Sequence, residues 1–331
     1  MPQSLCLHRQ SGHFTTPNSG RIIEGLLRND LFTVVHDQFM TDTARYADIV
    51  LPATSQLEHD DLHKPYGHRH LQYNHAAVSP LGECRSNWTL MKDLAKAMGY
   101  TEPWFDQSNA EVIAEVLDAT RAHNPLLAGI TLERLQNEGT LPYMFEPGQD
   151  VPFAGGVFPR DSGKIALRCE AMTAYGVDPL PDYVVPLEYG AERDPLGELV
   201  LISGAAHHFV SSSMGNQPSL RGKEGPPTLL VNPADAARLG IDDGDNVEVY
   251  NQRGSCELTA RLTSDVAPGV VVSPKGQWGS FMPGKRGLNW LTSDRLADLG
   301  NQSTFHSTMV SVRPISVPAA SVLDAIAIPA D

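Results

Sequence analysis

Residues 39–61 read FMTDTARYADIVLPATSQLEHDD. A turn carrying Thr41 and Thr43 leads through a short amphipathic segment into the apolar run Ile49-Val50-Leu51, which Pro52 stops. A loop crowded with Glu58, His59, Asp60 and Asp61 follows. A short continuous apolar run bounded by turn residues fits a strand buried on both faces of a parallel sheet. Polar loops at the ends of such strands are where open α/β sheets hold ligands.

Working outward, residues 20–28 place Ile22, Ile23, Leu26 and Leu27 on one helical face, and residues 31–35 form another continuous apolar run. Residues 41–47 are expected to form a short helix and residues 48–51 a second buried strand. Ser86 caps a helix in which Leu90, Met91, Leu94, Ala95 and Met98 recur at 3.6-residue spacing up to Gly99. Residues 1–105 thus read as an α/β layer. In residues 106–195, Ser108 and Glu111 form a capping box, and Thr131 opens a helix that Gly139 closes. Prolines then recur from 142 to 195, so this connecting segment is expected to wrap a surface and add little core.

Residues 196–331 change to β patterning. Val247 and Val249 alternate with polar residues, and after the turn at 251–254 so do Cys256, Leu258, Ala260 and Leu262. Asn232-Pro233 followed by Asp235 starts a helix with a cap, an N1 proline and an acid at its positive end; Gly240 ends it. Several short strands, one capped helix and Gly/Pro turns imply a closed barrel, which removes exposed edges.

At 331 residues with 41% apolar content, the chain can bury more than one core. Its net charge of −14 disfavours nucleic acid, whose phosphates need clustered Lys and Arg. Cys6, Cys84, Cys169 and Cys256 are scattered, unlike iron–sulfur or zinc ligands, and read as reduced thiols of a cytoplasmic protein. No signal peptide is visible, and no apolar run approaches the roughly 20 residues that span a bilayer.

Three groups of residues carry a family resemblance. The first is His36-Asp37-Gln38-Phe39-Met40-Thr41-Asp42-Thr43-Ala44, then Ala47-Asp48-Ile49-Val50-Leu51-Pro52-Ala53, Glu58 to Asp61, Tyr66-Gly67-His68 and Asn87. The second is Phe158-Pro159-Arg160-Asp161-Ser162-Gly163-Lys164. The third runs from Leu201-Ile202-Ser203-Gly204, His207-His208-Phe209, Ser211 to Ser213 and Asn216 through Asn232 to Ala236 and on to Asn289-Trp290-Leu291-Thr292 and Gly300-Asn301-Gln302. Together they resemble the dimethyl sulfoxide reductase family of molybdopterin oxidoreductases, from about residue 20 to about 315.

The resemblance implies an α/β sheet domain, partial and like that family's third domain, followed by a double-psi β-barrel. It implies bis(molybdopterin guanine dinucleotide) with molybdenum as cofactor. Threonine hydroxyls and free N–H groups at a strand end can cradle a pyrophosphate. The carboxylates of Asp37 or Asp48 can accept from a guanine. Pterins present donors and acceptors that hydroxyl and amide side chains match, and Gly204 permits close backbone approach. The implied contacts are His36, Asp37, Thr41, Thr43, Asp48, Ser203, Gly204, His207, His208, Ser211, Ser213, Asn289 and Gln302. An Arg that often follows the Ser-Gly pair in the family is Ala205 here.

Family members carry the molybdenum ligand, and in most branches a four-iron four-sulfur motif, upstream of these motifs. Neither is in this chain, and Met1 to Thr16 do not look like the strand the family places before the first helix. The chain is therefore expected to be the C-terminal part of an oxygen-atom- or hydride-equivalent-transferring oxidoreductase, formate dehydrogenase-like or sulfoxide/nitrate reductase-like, without turnover by itself. The alternative is a non-catalytic binding subunit or fragment completing a separate N-terminal catalytic chain; a separate N-terminal chain or a redox subunit is the expected protein partner. A third class, a hydrolase using zinc at His59 and His63, is weakened by Pro65 and Gly67, which break any helix there. No G-x-S-x-G, P-loop or G-x-G-x-x-G occurs.

Overall fold

The computed structural model describes residues 5–8, 15–191 and 193–315. The backbone packing divides them into two units: residues up to Val50 with those from Val185 onward, and Leu51–Val184.

In the first unit, β1 (Leu5–His8) runs parallel to β2 (Phe32–Asp37), the central strand of a three-stranded sheet whose other edge is β3 (Ile49–Pro52). The expectation that residues 1–16 hold no such strand is overturned: four residues are too few for periodicity to register. Thr33, Val34, Val35 and His36 are buried in succession, as a central strand requires. Strand β3 departs from its expected burial, with Ile49 44% and Val50 38% exposed, because it has a neighbour on one side only. The expected helix at 41–47 is a single 3-10 turn, Ala44–Tyr46.

Helix α1 (Ser19–Leu26) buries Ser19 and Gly20, while Leu27 is 64% exposed. A Cβ on Gly20 would stand 2.9 Å from the Trp290 ring, so contact there needs glycine. The Asn18 N–H donates to the Thr292 carbonyl (3.0 Å).

The second unit forms an antiparallel sheet of β4 (Asp61–His63), β5 (His70–Asn74) and β6 (Thr140–Pro142). With it go α2 (Asn87–Ala97), α3 (Asn109–Arg121) and α4 (Leu132–Glu138), capped by Ser86, Ser108 and Thr131. Leu71, Tyr73, Leu117, Ile130, Leu135 and Leu141 make one core. A boundary at residue 105 would cut this core, since β6 pairs with β5 across it. Between Leu141 and Leu199, no apolar side chain of the described residues is buried.

The barrel belongs to the first unit. Its strands are β7 (Leu199–Ile202), β8 (Thr228–Val231), β9 (Asn246–Asn251), β10 (Gly254–Leu262), β11 (Val270–Val272) and β12 (Thr308–Pro314). They close in the order β10-β8-β11-β7-β12-β9. Hairpin β9–β10 is antiparallel, while β10–β8 and β11–β7 are parallel. This mixed six-stranded closure is the double-psi barrel. Alternation sends Val247, Val249, Cys256, Leu258 and Ala260 inward to meet Leu199, Leu201, Leu229, Val231 and Val271. Burial pushes the Cys256 thiol up to about 12. Helices α5 (Pro218–Glu224) and α6 (Pro233–Leu239) lie between β7 and β9 in sequence. Beyond its place in the first turn of α6, Asp235 accepts the Gly269 N–H (2.7 Å), tying the helix to the turn before β11.

Candidate functional site

The chain leaving β7 turns at Ser203, which is buried, and Gly204, which is exposed. Among the described residues, and apart from its chain neighbours, no atom lies within 4 Å of where a Gly204 Cβ would stand. The Gly204 carbonyl accepts the Lys275 N–H (2.8 Å), and the Lys275 carbonyl accepts the Ala206 N–H (3.2 Å). Ala205, where the resemblance implies an arginine, is thereby bridged to Lys275.

The next segment packs on the stretch after β11. Ser211 and Met214 sit at φ +53° and +68°, left-handed values that non-glycine residues seldom adopt. Val210 and Ser213 exchange backbone hydrogen bonds (3.2 and 2.9 Å). The Trp278 Nε1–H donates to the Ser212 carbonyl (2.8 Å). Gly276, at φ +113°, lies so close to the Ser211 carbonyl that a Cβ would collide with it. Together these contacts enclose a cavity of about 110 Å³ lined by Ser211, Ser212, Lys275, Gln277, Asn289 and Phe305.

His207 and His208 form a T-shaped pair with centroids 4.9 Å apart. The His208 ring Nδ1 (2.9 Å) and backbone N–H (3.0 Å) both meet Glu224 Oε2. Burial works to raise the Glu224 carboxyl, but the His208 ring and the two histidine amides outweigh it and hold the group below the usual carboxylate range. A depressed carboxylate contributes stability that is present above its unfolded value and is lost as pH falls through the folded one. Glu224→Gln is thus expected to cost about 1–2 kcal/mol at pH 7 in urea unfolding. The gap to the parent should narrow as pH falls out of the usual carboxylate range and close once it has passed below the lowered Glu224 value; a gap independent of pH would show that the charge is immaterial.

Residues 36–48 are placed differently from the cavity lining. His36 and Thr43 are buried. The Asp37 carboxylate accepts the Gln38 (2.7 Å) and Phe39 (3.4 Å) N–H groups. The Thr41 hydroxyl oxygen accepts the Ala44 N–H (3.3 Å). Asp48 Oδ2 accepts the Thr33 N–H (2.7 Å), and the Asp48 N–H returns a bond to the Thr33 carbonyl (2.9 Å). Asp42 Oδ2 accepts the Ser280 N–H (3.3 Å), joining this turn to the barrel lobe.

Of the thirteen residues singled out from sequence, Ser211 and Asn289 line the cavity together. The Asn289 side-chain oxygen accepts from the Thr292 hydroxyl (3.1 Å). Gln302 is exposed outside the lining and engages the Ala297 N–H through its carbonyl (2.8 Å). Lys275, Gln277 and Phe305 were missed. The available signal was Ser273-Pro274-Lys275-Gly276-Gln277-Trp278, a cation and a glycine directly after a barrel strand.

In the other unit, the acidic loop is bonded internally. Glu58 accepts the Ser55 (2.6 Å) and Leu81 (2.7 Å) N–H groups, which hold it below the usual carboxylate range. Asp60 accepts from the Tyr73 hydroxyl (3.0 Å) and the Ala76 N–H (2.8 Å), and His59 Nδ1 lies 2.8 Å from the Thr54 hydroxyl. A cleft of about 330 Å³ adjoins them, bordered by Thr54, His59, Cys84, Ser86 and Asn109. Among the described residues, no group of three or more His, Cys, Asp or Glu is arranged to hold a metal ion, and no helix is long and apolar enough to cross a membrane.

Residues 199–309, which hold this barrel, match the family described as Molydopterin dinucleotide binding domain. Residues 5–97 match the family described as Molybdopterin oxidoreductase. The chain is 37% identical over 313 residues to Probable oxidoreductase YoaE of Bacillus subtilis (strain 168), covering 95% of this chain and 44% of that protein. It is 27% identical over 312 residues to Dimethyl sulfoxide reductase DmsA of Escherichia coli (strain K12), covering 85% and 38%. Acetylene hydratase from Pelobacter acetylenicus superposes with a TM-score of 0.71 at 22% identity, over 93% of this chain and 44% of that one, a likeness of fold. The chain spans less than half the length of these relatives. It belongs to the molybdopterin oxidoreductase family, among whose members is dimethyl sulfoxide reductase.

Proposed function

We propose that this chain holds the guanine dinucleotide form of the molybdenum cofactor within an oxidoreductase that transfers an oxygen atom or a hydride equivalent. The carrying observation is the cavity, whose lining among the described residues brings together Ser211, Ser212, Gln277, Asn289 and Lys275 and includes no Asp or Glu. That donor set fits a pterin–diphosphate group. Gly204, open to close approach, supports the same reading. Asp48 spends one oxygen on Thr33; its other oxygen is an acceptor suited to a guanine's N–H donors.

When bound, the cofactor supplies two-electron redox chemistry at molybdenum. This chain's own residues bind and orient it. The metal ligand and any iron–sulfur cluster belong in this reading to polypeptide matching the rest of the relatives' length, continuous with this chain or separate. The free thiols Cys84, Cys169 and Cys256 support a cytoplasmic setting.

The test is purification from cells that make the cofactor, followed by assays of pterin, molybdenum and dye-linked reduction of sulfoxide and nitrate or oxidation of formate. Retained pterin without turnover is expected. Complete loss of pterin would contradict the binding role, and stoichiometric metal with turnover would contradict dependence on further polypeptide.

A further inference from the structure

Lys275 carries a charge that the fold leaves unanswered. It is half-buried, and its ammonium lies over the Phe305 ring, 4.8 Å from the centroid. Among the described residues, no carboxylate pairs with it and no side-chain or carbonyl oxygen accepts from it. Lys92, also half-buried, donates to the Gln107 carbonyl (2.6 Å). Two arginines of the same lobe meet carboxylates, Arg253 with Glu188 (2.5 Å) and Arg313 with Glu248 (2.5 Å), whereas Arg221 lies over the Phe281 ring (3.6 Å). In a chain of net charge −14, counter-ions are plentiful, yet the cavity beside Lys275 is lined by hydroxyls and amides.

Position is fixed as well as charge. The Lys275 N–H and carbonyl are bonded on either side to Gly204 and Ala206, which fixes the main chain from which the side chain extends. Phe305 attracts the ammonium itself by a cation–π contact, a moderate attraction that is not a hydrogen bond and so leaves its N–H donors for a guest. Partly desolvating a cation without a partner costs free energy that an incoming anion offsets. The cavity has a volume of about 110 Å³ and opens partly to solvent. A phosphate- to diphosphate-sized group fits it, with the rest of a larger ligand outside.

We propose that Lys275 is the charge-selecting contact of this cavity, binding the diphosphate bridge of the dinucleotide while Ser211, Ser212, Gln277 and Asn289 supply neutral hydrogen bonds around it. The assignment rests on the dinucleotide reading above and adds which part of the ligand the cavity takes.

The full chain should be titrated calorimetrically with inorganic pyrophosphate, GDP and guanosine at low and high salt. Lys275→Met should weaken pyrophosphate and GDP about tenfold or more and flatten their salt dependence, leaving guanosine unchanged. Lys275→Arg should stay within about threefold of the parent. Lys223→Met, the same charge change at an exposed position on α5, should bind as the parent does. Near-UV circular dichroism of each variant confirms the fold. Equal binding by Lys275→Met and parent, or an equal loss in Lys223→Met, overturns the assignment. If pterin co-purifies while Lys275→Met binds normally, the dinucleotide reading stands and the lysine is wrong. If pterin never co-purifies but pyrophosphate binds through Lys275, the anion contact stands and the dinucleotide is excluded. If the parent binds neither anion, the assignment falls.

Discussion

Gly276→Ala is expected to abolish binding at the cavity and to destabilise the barrel lobe by about 2–4 kcal/mol, read from urea unfolding. Two independent costs add. The φ of +113° lies where an L side chain is strained, and the new Cβ would drive into the Ser211 carbonyl. That carbonyl belongs to a loop already holding Ser211 and Met214 at left-handed φ, so the loop has little room to retreat. On its other side, a Cβ on Gly215 would come within 2.8 Å of the Gly276 carbonyl, so the close approach runs both ways. Gly204→Ala is the contrast. Among the described residues, its Cβ would meet no atom within 4 Å apart from its chain neighbours, so stability should change by less than about 1 kcal/mol while ligand approach suffers. Equal effects of the two substitutions on stability would show that the Gly276 contact is not structural.

Leu229→Ala is expected to cost about 2–5 kcal/mol and to lower the melting temperature of the lobe by about 5–15 °C. Leu229 is fully buried in β8, between β10 and β11, among the inward side chains that close the barrel. Truncation removes apolar burial and leaves a cavity that a closed sheet cannot collapse to fill. Leu27→Ala, at a leucine 64% exposed, should stay within about 0.5 kcal/mol of the parent. Similar losses at the two positions would mean that the barrel is not the stability-determining core of its unit.

Local chemistry made much of the fold legible. The Asn232 side chain accepts the Ala234 N–H (2.9 Å) and Gly240 ends that helix at φ +66°, because caps depend on neighbours in sequence. The Ser108–Glu111 capping box is formed for the same reason. Alternation at 247–262 was readable because one face of each strand is buried, and the pairing of Cys256 with Val249 and of Leu258 with Val247 follows from it. Partnership across the chain was not legible. The apolar run at 49–51 looks the same at a sheet's edge as at its centre, since composition does not say how many neighbours a strand has. The pairing of β6 with β5 joins residues about seventy positions apart with no local signal.

The site was legible in part for the same reason. Hydroxyl and amide positions such as Ser211 and Asn289 stand in motifs, and the structure brings these two to one cavity. Asp37, Thr41 and Asp48 have the chemistry of ligand contacts, yet each is engaged in bonding its own backbone neighbourhood. Lys275 escaped notice because its meaning lies in an unpaired charge, which a sequence does not display.

The most direct measurement is a crystal structure of the chain with molybdopterin guanine dinucleotide. The account requires the diphosphate within hydrogen-bonding distance of the Lys275 Nζ and the Ser211 hydroxyl, with Asn289 at the same group's margin. A dinucleotide seated elsewhere with that cavity holding only water, or crystals grown at saturating ligand with none bound, would contradict it.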